Sequence, residues 1–277
     1  MRTIEKIHQA EYRPMPNLIT YSPLPIRSLD QIDPFIFLNH HGPQVYPPGN
    51  SGLPFGPHPH RGIETVTFII DGDIVHQDSS GHKSTIGAGG IQWMTAGKGL
   101  IHSENSSDAF KEEGGKLEIL QLWLNLPAKY KMTEPVYKGF QNEEIPKIEL
   151  NGGKVTVELI AGEMAGKKGA FEPLMDVFLS LVKFREGGKA ELDVPAGRNI
   201  FFYVIRGGIT VNNKHVKHLQ LAEFGNDDTK LVMEAESESI LLFGHAKPLN
   251  EPVVARGPFV MNTEEEIIQA YEDYRNG

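Results

Sequence analysis

The chain is predicted to be all-β, with two antiparallel barrels or sandwiches in tandem and a short helix at its end. Three observations predict this. Short runs of β-branched and apolar residues recur along most of the sequence, turn residues separate them, and the runs fall into two similar sets. The supply of turn formers agrees, with 29 glycines and 19 prolines among 277 residues.

Residues 65–70 (Thr-Val-Thr-Phe-Ile-Ile) favour a strand through their branching and end at the turn Asp71-Gly72-Asp73. A second strand at 74–76 leads into the turn Asp78-Ser79-Ser80-Gly81, and after the glycine corner at 87–90 a third covers 91–95. Between 117 and 126, Leu120, Leu122, Leu124 and Leu126 alternate with Gln121, Trp123 and Asn125. That alternation marks a strand with one deeply buried face. A similar series follows at 155–160, 176–184, 189–194, 200–205, 209–211 and 240–243. Near the end, Thr263 followed by three glutamates suits a helix N-terminus, because the threonine caps it and the acids complement its dipole. The polar, proline-broken stretch 130–146 reads as the link, so 1–135 and 136–277 are the expected domains.

Composition narrows the function. The hydrophobic fraction of 39% and charged fraction of 23% fit a folded globular chain. A net charge of -9 works against direct nucleic-acid binding and against acidic membranes, both of which need lysine and arginine to displace counterions. Lys129, Lys131 and the pair Lys167-Lys168 read as solvated faces. With no cysteine, disulfides, thiolate metal sites and cysteine nucleophiles are excluded. The first residues lack the apolar core of a signal peptide, and no uncharged apolar run reaches the roughly 18 residues of a membrane span. A cytoplasmic monomer is the expectation.

Histidine carries the chemistry. Of eleven, seven lie between His40 and His102. His58 and His60 are two residues apart, so on an extended chain both rings face one way; His102 and Glu104 repeat the spacing. A lone histidine is ordinarily a surface or core residue. Two such pairs on adjacent strands would instead converge four donors, three imidazoles and a carboxylate, suited to a divalent first-row metal. Glu64 shares the parity of His58 and His60 and competes with Glu104 for the acidic position. Phe55, Phe68, Trp93, Met94 and Trp123 are candidate apolar lining, with His40 and His41 as candidate overhang. His215, His218 and His245 form no comparable cluster.

The segments 58–67, 76–81 and 94–104, with His58-Pro59-His60-Arg61-Gly62, His76-Gln77-Asp78 and Met94-Thr95-Ala96-Gly97-Lys98-Gly99 ahead of His102, resemble the signature of the pirin family. The distal segments 248–252 and 257–263 resemble the end of the same family. The resemblance implies a bicupin, two jelly-roll barrels of which only the first holds a metal. It also implies His58, His60, His102 and Glu104 as ligands, which favours Glu104 over Glu64.

Members of this family have two reputations, which imply two expectations. One is cleavage of a flavonol such as quercetin by dioxygen with release of carbon monoxide. There Glu104 would accept a proton as catalytic base, with Glu64 in reserve. The other is a redox-sensing regulatory module that binds a protein partner. The enzyme is the preferred expectation, with one metal per chain, iron(II) first and manganese, cobalt, nickel or copper compatible.

Overall fold

The computed structural model describes residues 1–277. The chain is built almost wholly from antiparallel strands, in two compact units that each combine a seven-stranded and a four-stranded sheet. The all-β arrangement of two strand-built units expected from the sequence is what is found, with the C-terminal helix Glu264–Asn276 at its end.

The units cut the chain differently from a single division between 135 and 136. One contains 1–11, 22–34 and 144–248; the other contains 12–21, 35–143 and 249–277. Strand pairing is the reason. Ile4–Gln9 pairs with Gln220–Phe224, so the start of the chain belongs to the barrel made by its later strands. The end of the chain does the converse, for Val260 N–H donates to Arg61 O at 3.1 Å. The stretch expected as a link also differs: Val136–Phe140 pairs in register with Ile91–Thr95 as an edge strand.

In the unit holding 35–143, Phe35–Tyr46, Ile63–Asp71, Ile91–Thr95 and Gly115–Asn125 belong to the large sheet. The small sheet has the order Phe55–His60, Leu100–Asn105, Asp73–Asp78, Lys83–Gly87. Alternation in Gly115–Asn125 works as the sequence implied: Leu120, Leu122 and Leu124 are wholly buried on one face, while Gln121 and Trp123 turn to the other. A six-residue helix, Asp108–Glu113, was not expected; it is too short for a periodic signal, and its mark is Ser107, whose hydroxyl accepts from Phe110 N–H at 3.0 Å.

The C-terminal helix carries a complete capping box between Thr263 and Glu266. It buries Ile267 and Ala270 against Phe259 and Met261 of the segment that pairs beside Arg61. No helix is long and apolar enough to cross a membrane. In the other unit the core is one large apolar cluster running from Ile4 through Val157, Phe202 and Met233 to Phe243.

Candidate metal centre

Two strands build the histidine cluster. Phe55–His60 and Leu100–Asn105 pair antiparallel, with His102 directly opposite His58 and Leu100 opposite His60. Because successive side chains alternate, His58 and His60 emerge on the face that also carries His102. The ring centroids lie 5.0 Å apart for His58 and His60, 4.4 Å for His58 and His102, and 5.1 Å for His60 and His102. The donor nitrogens of the three come close enough to share one ion.

Each ring is aimed from behind. His58 Nδ1 lies 2.7 Å from Gly56 O, and His60 Nδ1 lies 3.2 Å from Pro258 O. In both cases a carbonyl can accept only from an N–H, so the proton sits on Nδ1 and Nε2 keeps its lone pair. His60 Nε2 and His102 Nε2 are buried and have no hydrogen-bond partner. Buried nitrogens with no partner call for an explanation, and a divalent cation among three imidazoles supplies one. Burial first, and then the neighbouring His58, holds the His60 imidazole down to about 3. His102 is lowered further, by burial and then by His60, His58 and His76. Both rings are therefore neutral near pH 7, the form that binds metal.

Glu104 stands in a second group, with His102 and His76. His102 belongs to both groups; the four residues expected as ligands do not form one mutually close set by themselves. A register shift between His102 and Glu104 accompanies this. Glu104 Oε2 accepts from Gln121 Nε2 at 2.7 Å; its Oε1 accepts from Thr67 Oγ1 at 3.3 Å and from Gln92 Nε2. Burial pushes this carboxyl up to about 7, against the pull of those hydrogen bonds.

Glu64 joins neither group. The parity argument fails because the extended chain is interrupted between His60 and Ile63. Gly62 takes φ +78°, and a Cβ there would come within 2.0 Å of Val260 O. The chain then enters the other sheet, where Thr67 reaches Glu104 and Glu64, on the alternate face, accepts from Thr95 at 2.7 Å. Burial raises Glu64 to about 7 despite hydrogen bonds from Thr95 and Trp93. The kink is pinned by Lys131, which is 1% exposed rather than on a solvated face. Its ammonium donates to Gly62 O, Asn125 Oδ1 and Val260 O at 3.0, 2.7 and 2.9 Å.

Among the expected lining residues, Trp123 meets the site. Its ring lies edge-on to His60 at 5.0 Å and stacks on Phe37 at 4.4 Å, and its Nε1–H donates to Gln121 Oε1 at 3.2 Å. Phe55 packs against His41 at 5.1 Å. Phe68 and Trp93 follow the alternate face with Glu64, and His40 is buried against Glu118 at 2.8 Å rather than overhanging the cluster. A cavity of about 650 Å³ runs along Arg61, Ile101, Met132, Phe259 and Tyr274; of the site residues only His60 reaches its wall.

Sequence reasoning missed His76, Asp78, Gln92 and Gln121 as functional residues. A signal existed for two of them: His76 and Asp78 are a third pair at the i,i+2 spacing. His76 is fully buried, stacks on Tyr137 at 4.0 Å, and lies beside His102 with ring centroids 5.3 Å apart.

Comparison with known proteins agrees with this architecture. The Pirin family model matches residues 17–124, and the model described as the Pirin C-terminal cupin domain matches 180–277. A Pseudomonas aeruginosa protein provisionally named quercetin 2,3-dioxygenase is 38% identical over 260 residues, covering 91% of each chain. Pirin-1 of Arabidopsis thaliana is 39% identical over 263 residues, covering 91% of this chain and 85% of that protein. The crystal structure of quercetin 2,3-dioxygenase from Acinetobacter baumannii superposes with a TM-score of 0.93 at 35% identity, over 100% of this chain and 98% of that one.

Proposed function

Because this chain belongs to the pirin family of cupin proteins, we propose that it is a metal-dependent dioxygenase that opens the central ring of a flavonol such as quercetin. One observation carries the reading: His60 Nε2 and His102 Nε2, both buried, have no protein partner and stand beside His58. The names borne by the Pseudomonas and Acinetobacter relatives support the choice of substrate.

Neutral imidazoles and a carboxylate fit a divalent first-row metal, with iron(II) the first candidate and manganese, cobalt, nickel or copper compatible. His58, His60 and His102 would hold it, with Glu104 as the fourth donor. Bound there, the metal supplies a Lewis acid for the 3-hydroxyl and 4-carbonyl of the flavonol, making the hydroxyl more acidic.

The chain's own groups do the rest. Burial raises the Glu104 carboxyl to about 7 before metal binds, which makes it a stronger proton acceptor than an exposed carboxylate. Its Oε2 accepts one hydrogen bond, from Gln121, and so keeps one lone pair, which would serve the metal at rest and the proton of the 3-hydroxyl once the carboxylate loosens from coordination. Gln121 in turn is held by Trp123, which stacks with Phe37 into an aromatic wall beside His60 and orients a flat substrate. Glu64, on the alternate face of its strand, takes no part in this scheme. Overall, the bonds from carbon 3 to carbons 2 and 4 break, the two atoms of one dioxygen end on carbons 2 and 4, and carbon 3 leaves with its own oxygen as carbon monoxide, giving a depside.

The test is dioxygen uptake with quercetin after metal-free protein is loaded with each metal in turn. Uptake matched one-for-one by carbon monoxide, and absent in His58→Ala, is the expected result. No uptake with any metal overturns the enzyme reading and turns attention to redox-dependent binding of a protein partner.

A further inference from the structure

Asp78, His76 and His102 form a line of hydrogen-bonding atoms that ends at the metal-facing nitrogen. Asp78 Oδ2 lies 2.9 Å from His76 Nε2, and His76 Nδ1 lies 3.5 Å from His102 Nδ1. Strand pairing sets this up, since Asp73–Asp78 runs antiparallel to Leu100–Asn105 with Asp78 opposite His102 and His76 opposite Glu104. His76 and the Asp78 carboxylate are inaccessible to water.

The direction of each bond follows from the chemistry of the ends. A carboxylate only accepts, so His76 Nε2 carries a proton and donates it to Asp78. The second nitrogen of that neutral ring, Nδ1, is then a lone pair. It faces His102 Nδ1, which must carry the proton between them. His102 Nε2 is left as a lone pair, and this is the nitrogen that has no protein partner.

We propose that His76 and Asp78 are positioning residues whose hydrogen-bond line fixes His102 in the Nδ1–H tautomer and so makes its Nε2 a metal ligand. The proposal rests on the reading of His102 as a ligand, and goes beyond it in assigning work to two residues that are not among the four proposed ligands. A carboxylate behind a ligating histidine orients the ring and strengthens it as a donor. Here a second imidazole is interposed.

The geometry also makes one isosteric substitution unusually informative. Asp78 Oδ1 accepts from Ser80 N–H at 2.9 Å, Ser80 Oγ–H at 2.6 Å and His82 N–H at 3.2 Å. In Asp78→Asn those donors hold the amide oxygen in the Oδ1 position, so the NH2 must face His76. A donor there moves the His76 proton to Nδ1. That proton points at His102 Nδ1 and drives the His102 proton onto Nε2, where the metal should bind.

The experiment is nitrogen-15 NMR of the histidine rings in metal-free protein, together with metal affinity by competition with a chelator. In the unsubstituted protein His102 is expected as Nδ1–H; in Asp78→Asn it is expected as Nε2–H, with affinity lower by about 10- to 100-fold. His76→Phe, which retains a ring to stack on Tyr137, removes the line without inverting it. It should give a mixture of His102 tautomers and a smaller loss. An unchanged His102 tautomer in Asp78→Asn overturns the proposal, whatever the metal does. Inverted tautomers with unchanged affinity overturn its consequence for the metal. Failure of the unsubstituted protein to bind metal, with the tautomers behaving as described, counts against the ligand reading and not against the hydrogen-bond line.

Discussion

The two barrels share a plan and differ in what points inward. In the site-bearing unit the small sheet runs Phe55–His60, Leu100–Asn105, Asp73–Asp78, Lys83–Gly87; in the other it runs Gly188–Asp193, Lys230–Ala235, Gly208–Val211, Lys214–Lys217. Strand for strand, the first pair presents His58, His60, His102 and Glu104. The second presents Ala190, Leu192, Leu231 and Met233, buried in the apolar core with Ala190 opposite Met233 and Leu192 opposite Leu231. The same fold therefore stands with hydrocarbon at those positions. Burying imidazoles and a carboxylate instead costs desolvation with no packing return, so their presence points to a ligand rather than to the needs of the barrel. The histidines of the apolar unit support the contrast: His245 accepts from Arg198 Nε–H at 2.7 Å and stacks on Phe178 at 4.8 Å, leaving no cluster of free donors.

Four changes would break or sharpen that comparison. The largest effect is expected from His102→Ala, which removes the residue common to both donor groups. Metal analysis after dialysis should find none retained, and full retention would sink the comparison. Glu104→Gln comes next, keeping the volume and, at saturating metal, a loaded site, while lowering kcat by about 10²–10⁴ through loss of the proton acceptor. Unchanged turnover in a metal-loaded variant would remove the catalytic role from Glu104.

In the apolar barrel the counterpart is Phe243→Ala. It should cost about 3–5 kcal/mol in denaturant unfolding, since a large cavity opens in the core. The metal-to-protein ratio should stay the same. A fall in that ratio would mean that the two barrels are not functionally separate.

The smallest effect is on pH dependence. Glu104 and Glu64 both have carboxyls raised to about 7. Metal must displace the proton from Glu104 below that value, so affinity should rise by about tenfold per pH unit up to about 7 and then level off. Stability of the metal-free protein should move the other way. A carboxyl raised from 4.5 to about 7 in the fold adds stability that is fully present below 4.5 and lost as pH climbs through 7. Thermal melts across this window that show no downward trend would contradict the burial argument.

Much of this was legible without coordinates. Strand positions follow from β-branching and turn residues, which act locally; 91–95 was read to the residue, and 155–160 and 200–205 to within one residue at either end. The i,i+2 spacing of His58 with His60 and of His102 with Glu104 put each pair on one face, because alternation along a strand is a property of the backbone. The small helix Asp108–Glu113 escaped because six residues are too few for a period to show. Lys131 escaped because nothing in its neighbours announces that three oxygens, two of them from distant segments, will surround it.

What the sequence determined by itself was the class of fold, the repeated order of strands and the donor types available for a metal. Tertiary structure decided which donors meet. It turned Glu64 away at the Gly62 kink, grouped Glu104 with His102 and His76, and put the Asp78 carboxylate at the far end of a line leading to His102 Nε2. It also assigned the first strand to the later barrel and the last helix to the earlier one. The physical reason is the same in each case. Periodicity along a strand is local, whereas strand partners, sheet changes and the company of a buried polar group depend on segments far away in the chain.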